Sequence, residues 1–529
     1  MEETTLPLLK GAISLEDALA EDDDILRELS YPEKQLDFWL RLDQSRPEIG
    51  GIVSRHLNIS QSDFTLGETE EWIHGGFNAC IPIHIAENKH LKLPRQALIR
   101  FPLPYKVGED FNPGNLDEKL RCEAATYLWL QKNCPAVPVP RLLGFGFPGV
   151  QSFTSIRNES FFRRLVWGFR HVLSLIFGGP PSSYVPHHRQ VLPDLGYLLV
   201  ERVDQGQILS ETWEDHRADP DRRANLFRDL SKIMLGLAKL PLPRIGSWTM
   251  DNNGALTLTN RPLTSLIHQL ENHEIPTNIP RDLTYTTVEP YLLDLIACQD
   301  NRIRHQPNSV HDEVDGEAQL AALTAMRALL PKFTDRKFRE GPFALSLTDL
   351  QPGNIFVDDD GHITSIIDLQ WACARPIQML SPPDWLSGRS LEQLIFQVHL
   401  DKYTALHKEF MEIFEEEELA GYDANTLTEI IRTSWTTGGF WYAQAMDWPG
   451  ILVGLYVDHI LPKFAKLTSA SREEFNHVFM RLWDQSSPDF ISSKIEEQEE
   501  YSNEVREMFA TAQSQDDGSH REENSGILL

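Results

Sequence analysis

Residues 343–372 read FALSLTDLQPGNIFVDDDGHITSIIDLQWA, and their order decides the fold. Asp349 is followed five positions later by Asn354. The apolar run Ile355–Val357 leads into the acidic turn Asp358–Gly361, and a second run ending Ser365-Ile366-Ile367 delivers Asp368. Two strand-length apolar runs about an Asp-Asp-Gly turn predict a β-hairpin. A hairpin returns on itself, so Asn354 and Asp368 come to the same end, with Asp349 on the loop that enters it. Two carboxylates and an amide oxygen gathered there can hold Mg²⁺ and orient a hydroxyl for attack on a phosphate. An ordinary acidic hairpin with a polar entry loop would share the Asp349-to-Asn354 spacing, and it is the complete hairpin that favours the chemical reading. A calcium loop is excluded, because the run from Asp358 to Asp360 lacks the glycine at position 6 and the glutamate at position 12 that such a loop needs.

The spacing D-x4-N followed by apolar-apolar-Asp resembles the catalytic hairpin of the aminoglycoside phosphotransferase and choline kinase-like family, which shares the protein-kinase fold. The phrases WIHGGFNACIP (72–82), VPVPR (137–141), RIGSW (244–248) and the aromatic group Trp435–Tyr442 are similar to those of its fungal-type members. The resemblance covers roughly 60–485. It implies an α+β, two-lobed protein-kinase-like fold, with a small β-rich N-lobe and a large helical C-lobe. It further implies ATP and Mg²⁺ as cofactors, Asp349 as acceptor of the substrate hydroxyl's proton, and Asn354 and Asp368 as metal ligands. Two positions depart from the pattern. Leu347 stands where the family carries a loop-organising histidine two residues before the aspartate, and Gln370 stands where many relatives carry an acid. Two functions therefore follow. One is an ATP-dependent transfer of the γ-phosphate to a hydroxyl of a small molecule. The other, for which Leu347 speaks, is a weak or inactive pseudokinase acting as a nucleotide- or metabolite-binding regulatory module.

Upstream lies the nucleotide side. Gly75, Gly76, Phe77 and Asn78 sit between two strand-like runs, where glycines let backbone N–H groups approach phosphates closely. Read alone, they are a plain hairpin turn. Arg100 interrupts the apolar strand 97–102, and a cation inside such a strand is costly unless paired or bound to a ligand. The plain alternative is an edge-strand arginine reaching solvent. The resemblance makes Glu123, on the following helix, its carboxylate partner against the phosphates, and makes the strand 198–203 the hinge, with Glu201 and Val203 beside the adenine.

Composition narrows the partners. The chain has 529 residues, 41% of them hydrophobic, and 78 acidic against 49 basic residues give a net charge of −29. Such a field repels nucleic acid and anionic membranes and mildly favours a cationic substrate. Five scattered cysteines without C-x-x-C spacing argue against a disulfide framework and structural zinc. The acidic start lacks a signal-peptide pattern, and no long apolar run exists, so a cytoplasmic location is expected.

The expected organisation is an N-terminal extension with helices over 1–59, an N-lobe over 60–205 carrying an insert at 150–190, a helical C-lobe over 206–490, and an acidic polar tail over 491–529 that is partly disordered. The G-x-G-x-x-G stretch Gly144–Gly149 is not a dinucleotide fingerprint, because Pro148 interrupts it and no helix pattern opens after it. Residues 157–177, RNESFFRRLVWGFRHVLSLIF, mix four arginines with Phe, Trp, Leu and Ile. An inserted helix packing on its own or a partner's surface is the favoured reading, since no uninterrupted apolar face stands out, and contact with a membrane surface is the alternative.

Overall fold

A computed structural model describes residues 4–86, 93–177, 182–422 and 426–525. The N-terminal part is built on one antiparallel sheet. Its strands are β1 (Phe64–Leu66), β2 (Ile73–His74), β3 (Asn78–Ile85), β4 (Gln96–Pro102), β5 (Leu142–Gly146), β6 (Gln151–Ser155), β7 (Tyr184–His188) and β8 (Tyr197–Glu201). They lie in the order β1-β3-β4-β8-β5-β6-β7, with β2 also paired to β3. Alternation along β4 sorts its side chains. Ala97, Ile99 and Phe101 are fully buried in a core shared with two N-terminal helices, α1 (Tyr31–Gln44) and α2 (Arg46–Leu57). Leu98 and Arg100 belong to the other face, which α3 (Asn115–Asn133) covers.

Helix α4 (Phe161–Phe177) is inserted within the β6–β7 hairpin, where Ser155 pairs with Tyr184. One face of it does not pack onto the body. Phe161, Phe162, Leu165, Val166, Phe169 and Val172 are all exposed, so the expected packing on its own surface does not hold for the described residues. The interruptions that hid an apolar face in the linear sequence vanish once those positions are wound onto a helix.

The C-terminal part is mostly helical, with long helices at Pro220–Ala238, Val288–His305, Glu313–Phe333 and Gln397–Tyr422 around one large core. Short strands sit where the two parts meet: β9 (Gln207–Ile208), β10 (Ser247–Met250), β11 (Leu256–Asn260), β12 (Phe343–Leu347), β13 (Ile355–Val357), β14 (Ile363–Ile366) and β15 (Ala372–Pro376). The molecule is thus β-rich first and helical second. A final helix closes the described chain. Residues Ser487–Ser525 are helical, and Tyr501, Val505 and Phe509, four apart on one face, bury against Ile13, Ala18 and Ile25. Among the described residues no helix is long and apolar enough to cross a membrane.

Candidate active site

The hairpin forms as β13 and β14, with Ile355 opposite Ile366 and Phe356 opposite Ser365. Its tip is closed by Asp358, whose side chain accepts from the backbone of Asp360 and His362. Gly361 there has φ +85°, and a Cβ would run into the backbone of Arg222, so the position requires glycine. Asp229 fastens the tip to the helical lobe by accepting from the His362 ring and the Ile363 N–H, both at 3.0 Å.

The flanking strands β12 and β15 pair from Phe343–Pro376 to Leu347–Ala372. The loop before the hairpin and the segment after it therefore leave one two-stranded ladder side by side. Asn354 donates through Nδ2 to the backbone carbonyl of Asp349 at 2.9 Å and to its Oδ2 at 3.2 Å. This leaves the Asn354 amide oxygen as the acceptor end. Burial, reinforced by the nearby Asp368 carboxylate, pushes Asp349 up to about 7. Asp368 adopts φ +58°, uncommon for a non-glycine residue. Asp349, Asn354 and Asp368 are thus brought together as the spacing predicts.

The loop at Leu347 is tethered through its neighbour. Leu347 packs against the core, while the adjacent Thr348 hydroxyl donates to the Trp371 carbonyl at 2.6 Å. The loop carrying Asp349 is thereby bonded to the segment carrying Asp368. No sequence rule pointed to Thr348, because its partner lies 23 residues away across the hairpin.

Arg100 reaches the same place from β4. It donates to Glu123 Oε1 at 2.8 Å and is ion-paired with Asp368. It is 6% exposed, and Glu123 is fully buried. The edge-strand alternative for Arg100 fails, since β4 lies between β3 and β8. The turn Gly75–Asn78 is tight, with the Gly75 N–H donating to the Asn78 carbonyl at 2.9 Å, and a Cβ placed on Gly76 would meet nothing within 4 Å. That open space lets a ligand approach the backbone. Phe77 does not project into it, because its ring packs edge-on against Trp371 at 5.1 Å between centroids. Asn78 turns inward and donates to Gln370 Oε1 at 3.1 Å, which gives the unusual glutamine a partner and ties the turn to the hairpin.

Lys119 is the residue that sequence reading missed. It lies on α3 one turn before Glu123, is fully buried, and donates to Asn78 Oδ1 at 2.9 Å. Burial pulls its amine down to about 8. A signal existed, because Leu116, Lys119, Leu120, Glu123 and Tyr127 recur at helical spacing. Glu201 ends β8 and holds Arg141 through two bonds, at 2.7 and 2.9 Å, with Val203 just beyond. Its side chain is therefore engaged, and its backbone N–H bonds the Arg141 carbonyl at 2.9 Å.

The donor set suits Mg²⁺ with a nucleotide. Among the described residues no cluster of three or more His, Cys, Asp or Glu side chains could hold a metal unaided. One carboxylate and one amide oxygen completed by phosphate oxygens is the usual Mg²⁺ arrangement. On the helical side, a cavity shares Leu347, Thr348 and Leu350 with the cleft at Asp349. Met234, Leu237, Leu380 and Trp448 also line it, together with the ion pair of buried Arg375 and half-buried Asp447, and with Asp384, which burial pushes up to about 6.

A β-rich lobe, a helical lobe and a hairpin between them make up the α+β architecture that carries the site. The model of the phosphotransferase enzyme family matches residues 106–379, more than half of the chain, and the chain belongs to that family. The match includes Glu123, Asp349, Asn354 and Asp368 and begins after Arg100 and the glycine turn. Among solved structures, a macrolide 2'-phosphotransferase type I aligns at 10% identity and a TM-score of 0.33, over 79% of this chain and 90% of that one. No curated protein matches the chain.

Proposed function

We propose that this phosphotransferase uses Mg–ATP and transfers the γ-phosphate to a hydroxyl of a small molecule held in the cavity beside Leu347 and Leu350. The observation that carries this reading is the meeting of Asp349, Asn354 and Asp368 with the Arg100–Glu123 pair. Asn354 and Asp368 would hold the metal, which when bound neutralises charge on the phosphates. Arg100, oriented by Glu123, would face the phosphates once its bond to Asp368 is exchanged. The backbone of Gly75–Asn78 would cover them, and the backbone of Glu201 and Val203 would receive the base. Asp349 takes the acceptor's proton as its oxygen bonds to phosphorus and the bond to the leaving diphosphate breaks. A carboxyl near 7 suits that task at neutral pH.

The Thr348–Trp371 bond favours an active enzyme over the regulatory pseudokinase, since it supports the Asp349 loop without the family histidine. The test is ATP consumption across a panel of hydroxyl-bearing metabolites, with and without Mg²⁺. Metal-dependent turnover with at least one acceptor is expected. Mg–ATP binding without turnover across the panel would favour the regulatory reading.

A further inference from the structure

Helix α4 stands apart from the site. At 3.6 residues per turn, Phe161, Phe162, Leu165, Val166, Phe169 and Val172 fall within an arc of about 140°. Each is between 51% and 80% exposed. Exposed apolar groups of this size in one patch mark an interaction surface. The other side of the helix is tethered. Trp167 donates to the Ser182 carbonyl at 2.7 Å, and Arg163 bonds Glu159, which is itself buried and paired with Arg55. The apolar arc therefore faces away from the body by construction.

Charge identifies what covers it. Residues 157–177 carry four arginines against the single Glu159, and no Asp or Glu occurs from Ser160 to Pro193, in a chain whose net charge is −29. We infer that α4 is an interfacial helix that docks the protein on an anionic lipid surface, with the apolar arc in the acyl boundary and the exposed Arg157 and Arg164 among headgroup phosphates. A wide apolar arc edged by arginine is the pattern of such helices. A lipid boundary accepts bulky side chains without a matching groove. A second copy docked α4 to α4 would instead bring like charges together. The acidic body does not forbid the contact, because at physiological ionic strength its field is screened beyond about 8 Å.

The test uses the full chain and its Phe161→Ser/Phe162→Ser/Phe169→Ser variant. These side chains are exposed, so the variant keeps its fold, which circular dichroism checks. Flotation is run with phosphatidylcholine vesicles with or without 30% phosphatidylserine, at low and high salt. The wild type is expected to float with the anionic vesicles and less with neutral ones. Binding should weaken with salt, and the triple variant should lose about tenfold or more in partitioning. Absence of flotation with anionic vesicles at low salt would overturn the inference, as would binding that the triple variant retains. So would a wild-type dimer that the variant dissolves while neither binds lipid, since that would make the face a protein contact.

Discussion

Replacing Arg100 with methionine should expose how the two lobes share charge. Arg100 is almost fully buried between Glu123 and Asp368. The second Glu123 oxygen already has no partner among the described residues. Arg100→Met would leave a fully buried carboxylate without its cation, and breaking such a pair costs about 3–5 kcal/mol. Glu123→Gln in the same chain removes that stranded charge, so the double variant should recover a large part of the loss. Urea unfolding followed by tryptophan fluorescence measures both. The same variants carry a functional readout. A ligand at a hundred times its Kd stabilises by about 2.7 kcal/mol, and Arg100→Met should forfeit most of the stabilisation that Mg–ATP gives the wild type. A cost below about 1 kcal/mol, or a double variant as unstable as the two single losses added, would refute the buried-pair reasoning. Unchanged stabilisation by Mg–ATP would separate Arg100 from the nucleotide.

Two further outcomes follow from neighbouring residues. Lys119 has its folded value drawn down to about 8 from 10.5, so between those values the unfolded chain binds more protons and stability rises with pH. Relative to Lys119→Met, the wild type should gain about 3 kcal/mol across that window, and parallel pH–stability curves would contradict the burial of a titrating amine. Thr348→Val removes the hydroxyl bond that ties the Asp349 loop to Trp371. Losing such a bond costs about 1–3 kcal/mol, and turnover should fall while Mg–ATP affinity holds, whereas an equal loss in both would show that Thr348 is not a loop tether.

What the sequence made legible was local. Asp349, Asn354 and Asp368 fall within twenty residues, and a hairpin has one register that the apolar alternation and the Asp-Asp-Gly turn select. Arg100 was legible because a lone cation in an apolar strand demands a partner. What escaped depends on contacts across long sequence separations. Asn78 meets Gln370, Lys119 meets Asn78, and Glu118 on α3 is clasped by Arg261, which also holds Glu271, in a buried network fixing that helix to the helical lobe. No spacing rule reaches across 143 residues from Glu118 to Arg261. The exposed face of helix α4 and the buried face of the final helix were illegible for another reason. A polar or arginine-rich stretch was weighed by composition, while the helical wheel aligned Phe161 with Leu165 and Phe169, and Tyr501 with Val505 and Phe509.

The central claim is that Asp349 takes the acceptor's proton in phosphate transfer, and Asp349→Asn tests it most directly. The substitution keeps the shape of the side chain and removes its basicity. Transfer of labelled γ-phosphate to an accepted hydroxyl substrate would be measured beside Mg–ATP affinity in the same preparations. General-base assistance is worth about 10²–10⁴-fold, so turnover should fall by that factor while Mg–ATP affinity stays at the wild-type value. Turnover that Asp349→Asn leaves intact would contradict the account.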